Sequence, residues 1–222
     1  MKKVLKIISV LLFVSLICTS FISCKNKQAE SYFKEALDII DLNIFSLSDE
    51  DFNNTINLLD KSIEADKTMW KAYRQKNQLY KARENYSKVI EVYDQWISNG
   101  NEMDPTKQFG YGCSIYLNGN KDKAMSIFSE IYNENKDKLK DGKFYKKDEI
   151  NFVAVVLSGI ITKNIKDISP IDSNYMAFVD PQEITEAYNA LSQEEKLQDL
   201  FFNMSVFYEE YPDEMIKSYV GY

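Results

Sequence analysis

Hydrophobic residues in the middle of the chain recur at helical spacings, and the whole pattern repeats about every 34 residues. The repeated positions form three groups, displaced by 34 and then 35 residues: Phe52, Leu59 and Ser62; Tyr86, Tyr93 and Trp96; Lys121, Phe128 and Ile131. A period of this length with helical spacing inside it is typical of helix-turn-helix solenoids. The alternative is a set of ordinary amphipathic helices, because aromatic residues occur at such spacings in any helical bundle.

Small residues occupy particular positions in the last of these three repeats. Gly112, Ile115, Gly119, Ala124 and Phe128 follow one another at spacings of 3, 4, 5 and 4 residues. This pattern resembles the tetratricopeptide repeat. The resemblance implies that two helices cross closely at Gly112, that the turn between them contains Gly119, and that Ala124 takes the small position of the second helix. It extends over roughly residues 29–134 and implies a fold, not a reaction.

The two earlier repeats match this pattern less closely. Asn77 and Val89 stand where the repeat pattern has small residues, and in the first of the three repeats only the second helix is clear. We expect that helix to run from Asp51 to about Ala65, with Ser48 as its N-cap and Asp51 as the N3 partner. The sequence therefore predicts an all-α fold: a short right-handed helix-turn-helix solenoid with a helical cap at its C-terminal end.

The N-terminal segment is first basic and then apolar. Three lysines precede the apolar run of residues 7–22, and Ser23-Cys24 ends the run before a polar stretch. This run resembles the signal peptides of bacterial lipoproteins, which implies cleavage before Cys24, lipid attachment to its thiol, and a place in the cell envelope, on the periplasmic face or the cell surface. The alternatives are an uncleaved anchor helix and an ordinary secretory signal.

The pattern changes again after Glu134. The charged, glycine-containing residues 135–147 predict a connector, and residues 148–163 predict an apolar helix, too short to span a bilayer, that packs on the last repeat. Asp180-Pro181 and Ser192 mark the starts of further helices. The predicted organisation is a signal peptide (1–23), a lipidated tether (24–30), helical repeats (31–134), a connector (135–147) and a C-terminal helical region packing on the repeats (148–222).

Composition excludes several classes of function. The 222-residue chain has no histidine, which removes the usual general base and the imidazole ligands of most zinc sites. The formal net charge of −7 becomes −10 once the three lysines of the signal segment are removed, so nucleic acid is a poor partner. Cys18 leaves with the signal and Cys24 is lipidated, so Cys113 has no disulfide partner in the mature chain. We expect no catalytic residues, no cofactor and no metal site.

One surface is a candidate binding site. In tetratricopeptide proteins the first helix of each repeat lines a groove that binds peptides. By register, the resemblance assigns this role to Lys71, Arg74, Gln78 and Lys81 on one helix and to Phe109, Cys113 and Tyr116 on the next. Cationic and amide donors beside an aromatic wall suit a peptide with an acidic group or a free C-terminal carboxylate. The alternative is a solvated basic stripe on an acidic protein.

These observations favour a membrane-anchored protein-interaction module that acts as an adaptor in the cell envelope. A second hypothesis is an immunity or inhibitor lipoprotein that neutralises a secreted toxin with the same acidic, aromatic-rich surface. A third is a carboxylate-dependent cell-wall hydrolase. The third has little support, because the adjacent pairs Glu194-Glu195 and Glu209-Glu210 point in different directions on a helix, whereas a glycosidase needs two carboxyl groups that face one cleft.

Overall fold

The computed structural model describes residues 27–40, 44–140 and 149–164, and every regular element within these ranges is a helix. The expected all-α fold is thus confirmed. The signal segment with Cys24 and the predicted cap after residue 164 lie outside the described residues. The chain divides after Arg83 into two compact units.

The first unit contains three described helices and one short turn of 3-10 helix. Helix α1 covers residues 27–40. After the 3-10 turn Ile44–Ser46 come α2, Asp49–Ala65, and α3, Trp70–Ala82. Their buried apolar residues form the core of the unit: Ala29, Phe33, Ala36, Phe52, Leu58, Leu59, Ile63, Met69, Ala72, Tyr73 and Leu79.

Helix α2 has the predicted N-cap, Ser48, but it begins at Asp49, two residues before the predicted start at Asp51. The Ser48 hydroxyl accepts a hydrogen bond from the Asp51 backbone N–H at 3.1 Å and donates one to the Asp51 carboxylate at 2.7 Å. The cap therefore satisfies one of the N–H groups that a helix start leaves without a partner. Near the other end of α2, the Ser62 hydroxyl donates to the Ala29 carbonyl at 2.9 Å and so joins α2 to α1.

The second unit contains four described helices. They are α4, Tyr86–Ser98; α5, Pro105–Leu117; α6, Lys121–Lys140; and α7, Glu149–Ile161. Helix α5 packs against α4, α6 and α7, and α6 also packs against α7. Asp104 caps α5 by accepting from the Lys107 N–H at 2.8 Å, and Pro105 occupies its first turn, where the missing N–H costs nothing.

The close approach expected at Gly112 is confirmed. A Cβ placed on Gly112 would lie 2.7 Å from Cε1 of Phe128 on α6, closer than real Cβ atoms come to other atoms. The turn expected at Gly119 is also present between α5 and α6, and Gly119 has a φ of +91°, which glycine adopts without steric cost. Both glycines thus have the structural roles that the sequence analysis expected of them.

Helix α7 is buried along almost its whole described length. Ala154, Val155, Val156, Leu157, Ile160 and Ile161 are each at most 3% exposed. The Thr106 N–H and hydroxyl both donate to the Asn151 side-chain oxygen, at 3.2 and 2.8 Å, and so join the starts of α5 and α7. Among the described residues, no helix combines the length and apolar character that crossing a membrane requires.

Two segments that the sequence predicts to be non-helical are partly helical in the structure. Residues 27–30 of the predicted tether are helical, because Ala29 is fully buried against α2 and the Glu30 carboxylate pairs with Lys71 on α3. Residues 135–140 of the predicted connector belong to α6, because Asn135 is buried and its amide donates to the Ile131 carbonyl at 2.9 Å. The charged residues of this stretch had suggested a loop, yet lysine is a good helix former.

Candidate functional site

Helix α3 supplies the cationic part of the predicted binding surface. Lys71 lies on its first turn, and its ammonium group contacts both oxygens of the Glu30 carboxylate at 2.6 Å. The same ammonium lies 5.0 Å from the centre of the Phe33 ring. The Lys71 ammonium is therefore already paired with a carboxylate of α1 within the first unit.

Arg74 differs from the other cations of α3. It is half-buried, its Nε atom is buried, and no residue that the structure describes gives it a hydrogen bond or an ion pair. One helical turn further on, Asn77 is completely buried, and both polar atoms of its amide lack a hydrogen-bond partner among the described residues. A buried polar atom left without a hydrogen-bond partner destabilises a protein by about 1 to 3 kcal/mol. Arg74 and Asn77 together are therefore an unusual feature of α3.

The remaining predicted donors of α3 have different environments. Gln78 is half-buried, whereas Lys81 is only 2% exposed. A neighbouring lysine that the sequence did not single out, Lys76, is also buried, and its ammonium contacts the Asp60 carboxylate on α2 at 2.5 Å. Burial of Lys81 corrects the expectation of four accessible donors, since its ammonium lies within the folded unit instead of on a solvated face.

The predicted aromatic wall is part of the core of the second unit. Phe109 is 2% exposed and its ring centre lies 5.2 Å from that of Phe128, while Cys113 and Tyr116 are 0% and 7% exposed. These residues belong to one apolar cluster with α7. The expectation of an open wall is therefore corrected: α7 packs against α5, and the side chains that would have lined a groove are buried in this cluster.

Cysteine and carboxylate side chains in the described part of the chain do not form a metal-binding cluster. No cluster of three or more Cys, Asp or Glu side chains there could hold a metal ion. Among the described residues, the pKa of Tyr111 is shifted most: partial burial, a 2.8 Å hydrogen bond to Asp94 and the negative charge of that carboxylate raise it to about 12. A raised pKa keeps this phenol neutral, so it is no candidate nucleophile.

No protein-family model, no curated protein and no solved structure matches this chain. Of the predicted donors on α3, the Arg74 guanidinium and the Gln78 amide are the two that are neither fully buried nor paired with a described residue, and Asn77 lies buried beside them.

The residues that sequence analysis missed are the partners of the lysines. Glu30 and Lys71 are 41 positions apart, and Asp60 and Lys76 are 16 apart, so no helical spacing connects them. Asn77 did give a signal, because it replaces a small residue of the repeat pattern. Only the packed structure shows that its amide is buried without a partner.

Proposed function

We propose that this protein is a membrane-anchored interaction module, attached to the bacterial cell envelope through lipid on Cys24, that binds a protein or peptide with an exposed carboxylate. The N-terminal segment that resembles lipoprotein signal peptides supports the anchor. The paired helices support a binding role, since such folds act through their surfaces. The single observation on which the choice of partner rests is Arg74, a half-buried cation without a partner among the described residues.

A guanidinium group in this state is suited to an external carboxylate. Its fork of N–H donors matches the two oxygens of a carboxylate, and a hydrogen bond between charged groups is roughly twice as strong as a neutral one. Binding would give Arg74 a partner that the described residues do not provide. Gln78, one turn along the same helix, adds an amide that can bond to the peptide backbone.

The experiment begins with crosslinking in intact cells and capture of the partner. Binding is then measured for Arg74→Gln and for Arg74→Lys. We expect Arg74→Gln to weaken binding about 10- to 100-fold, because it removes charged hydrogen bonds worth about 1.5 to 3 kcal/mol. Arg74→Lys keeps the charge but loses the fork, so its affinity should fall between those of the parent and Arg74→Gln.

The other arginine of the chain provides the control. The Arg83 guanidinium contacts the Asp49 carboxylate at 2.7 Å and lies 3.8 Å from the centre of the Phe52 ring. Arg83→Gln should therefore leave binding unchanged and lower the melting temperature slightly, whereas Arg74→Gln should leave the melting temperature unchanged. Equal affinity of the parent and Arg74→Gln would contradict the proposed site.

A further inference from the structure

Helix α1 begins very close to the predicted lipid attachment point. Only Lys25 and Asn26 separate Cys24 from the first described helical residue, Lys27. Three residues of extended chain span at most about 10 Å. If Cys24 is acylated, which is part of the proposed function, the start of α1 is held within that distance of the lipid headgroups.

Contacts within the first unit show what else lies at this end. The Ser62 hydroxyl, near the end of α2, contacts the Ala29 carbonyl at 2.9 Å and the Met69 sulfur at 3.1 Å. Lys71, at the start of α3, contacts Glu30 at 2.6 Å. The start of α1, the end of α2 and the start of α3 therefore meet. We call this part, residues 27–32 and 61–71, the proximal end.

The charge of the proximal end differs from that of the whole protein. It carries four lysines, 27, 61, 67 and 71, against three acids, Glu30, Glu64 and Asp66, in a mature chain with a net charge of −10. Glu30 is paired with Lys71, and the Asp66 carboxylate accepts hydrogen bonds from the N–H and the hydroxyl of Thr68, at 2.9 and 2.7 Å. Lys27, Lys61 and Lys67 are exposed.

Trp70 adds an aromatic group at the same end. It is half-buried at the first position of α3 and stacks on Tyr73, with ring centres 6.4 Å apart. Tryptophan is enriched where proteins meet the headgroup region, because its ring is apolar and its N–H is polar. Exposed lysines near an anionic surface are attracted to it over a Debye length of about 8 to 10 Å, which is comparable to the reach of the tether.

We propose that the proximal end is a membrane-contacting surface: Lys27, Lys61 and Lys67 bind the anionic phospholipid headgroups around Cys24, and Trp70 enters the headgroup region. This surface holds the first unit against the bilayer instead of leaving it to rotate about the short tether. Each lysine contributes about five-fold to the population ratio of membrane-bound to unbound orientations, the equivalent of ~1 kcal/mol.

The test uses the mature chain, residues 24–222, coupled at Cys24 to a maleimide lipid. Cys113 is fully buried, so the coupling is selective. The protein is placed on vesicles of phosphatidylcholine, either alone or with about 30% phosphatidylglycerol, which gives the surface a negative potential. Brominated acyl chains in these vesicles quench the fluorescence of any tryptophan that reaches the bilayer. The chain has two tryptophans, so Trp96→Phe reports on Trp70 alone and Trp70→Phe on Trp96 alone.

We expect strong quenching of Trp70 on anionic vesicles, weaker quenching on neutral ones, and little quenching of Trp96, which is 6% exposed and donates its N–H to the Glu102 carbonyl. In the Trp96→Phe background, Lys61→Gln with Lys67→Gln should reduce the quenching of Trp70. The pair Lys121→Gln with Lys123→Gln changes the net charge equally and should not reduce it.

Equal quenching of the two tryptophans, or quenching of Trp70 that does not depend on anionic lipid, would overturn the proposal. Chemical coupling makes this result independent of acylation in cells. A failure to incorporate palmitate at Cys24 in cells would instead remove the anchor from the proposed function, while the vesicle experiment would still report on the proximal end.

Discussion

Tyr111, half-buried on α5, donates a hydrogen bond to Asp94 on α4 at 2.8 Å, and its ring centre lies 5.5 Å from that of Tyr93. The phenol is thus fixed between an aromatic ring and a carboxylate. Partial burial is the first cause of its raised pKa, since it disfavours the phenolate, and the hydrogen bond to Asp94 and the charge of that carboxylate add to the effect.

A titration tests this residue. An ordinary tyrosine ionises near pH 10, so the difference in absorbance at about 295 nm between the parent and Tyr111→Phe should show a step near pH 12 instead. The raised pKa contributes stability below pH 10 that is lost as the pH rises through 12. Asp94→Asn should move the step to lower pH. A step that stays near pH 10 in the parent would mean that Asp94 and burial do not act on Tyr111 in solution.

At the scale of single elements, short-range signals set where the helices begin and close packing sets how they cross. Ser48 caps α2 and Asp104 caps α5, because each side chain accepts a hydrogen bond from the backbone N–H three residues later. Pro105 occupies the first turn of α5. Gly112 has no such local role. Its contribution is the space that it leaves for the fully buried ring of Phe128.

Gly112→Leu should therefore destabilise the second unit. The added side chain overlaps the Phe128 ring and forces a shift of α5 or α6, which costs roughly 1 to 3 kcal/mol. Urea unfolding measures this loss. In the double variant with Phe128→Leu the two costs should be less than additive, since the smaller side chain relieves the overlap. Strict additivity, or a Gly112→Leu protein as stable as the parent, would contradict a tight crossing at this position.

At the scale of the whole molecule, the described residues form two compact units, each with its own apolar core. In the first unit, ion pairs such as Glu30 with Lys71 and Asp60 with Lys76 connect helices around that core. In the second, α7 completes the core by packing on α5 and α6. Attachment of this molecule to a membrane is proposed through Cys24, before the first described helix.

Cys24→Ala tests the attachment. We expect the variant to lose incorporation of labelled palmitate and to accumulate as a soluble or an uncleaved precursor form, because it lacks the thiol that carries the acyl chains, each of which anchors a protein by about 0.8 kcal/mol per buried methylene. Cys113→Ala is the matched control and should keep both the label and the membrane location, since that thiol is fully buried. Labelled palmitate that persists in Cys24→Ala would refute the lipoprotein assignment.

Much of the fold was predictable from the sequence because it depends on local signals. Helical spacing predicted α2 and the apolar helix after residue 147, and the resemblance to the repeat pattern implied the turn at Gly119 and the close crossing at Gly112. The errors at residues 27–30 and 135–140 arose where local sequence favoured a tether or a loop but tertiary contacts extended a helix. Ala29 and Asn135 are both buried, which no local spacing revealed.

The candidate site was less predictable because it depends on contacts between residues that are far apart in the chain. The sequence alone placed Lys71, Arg74, Gln78 and Lys81 on one helix. Only the tertiary structure decided that Glu30 neutralises Lys71, that Lys81 is buried and that Arg74 lacks a partner among the described residues. A side chain's availability depends on what packs over it, whereas its position on a helix depends on periodicity. Periodicity is a local property that the sequence shows directly, whereas packing depends on tertiary contacts between helices that are distant in the chain.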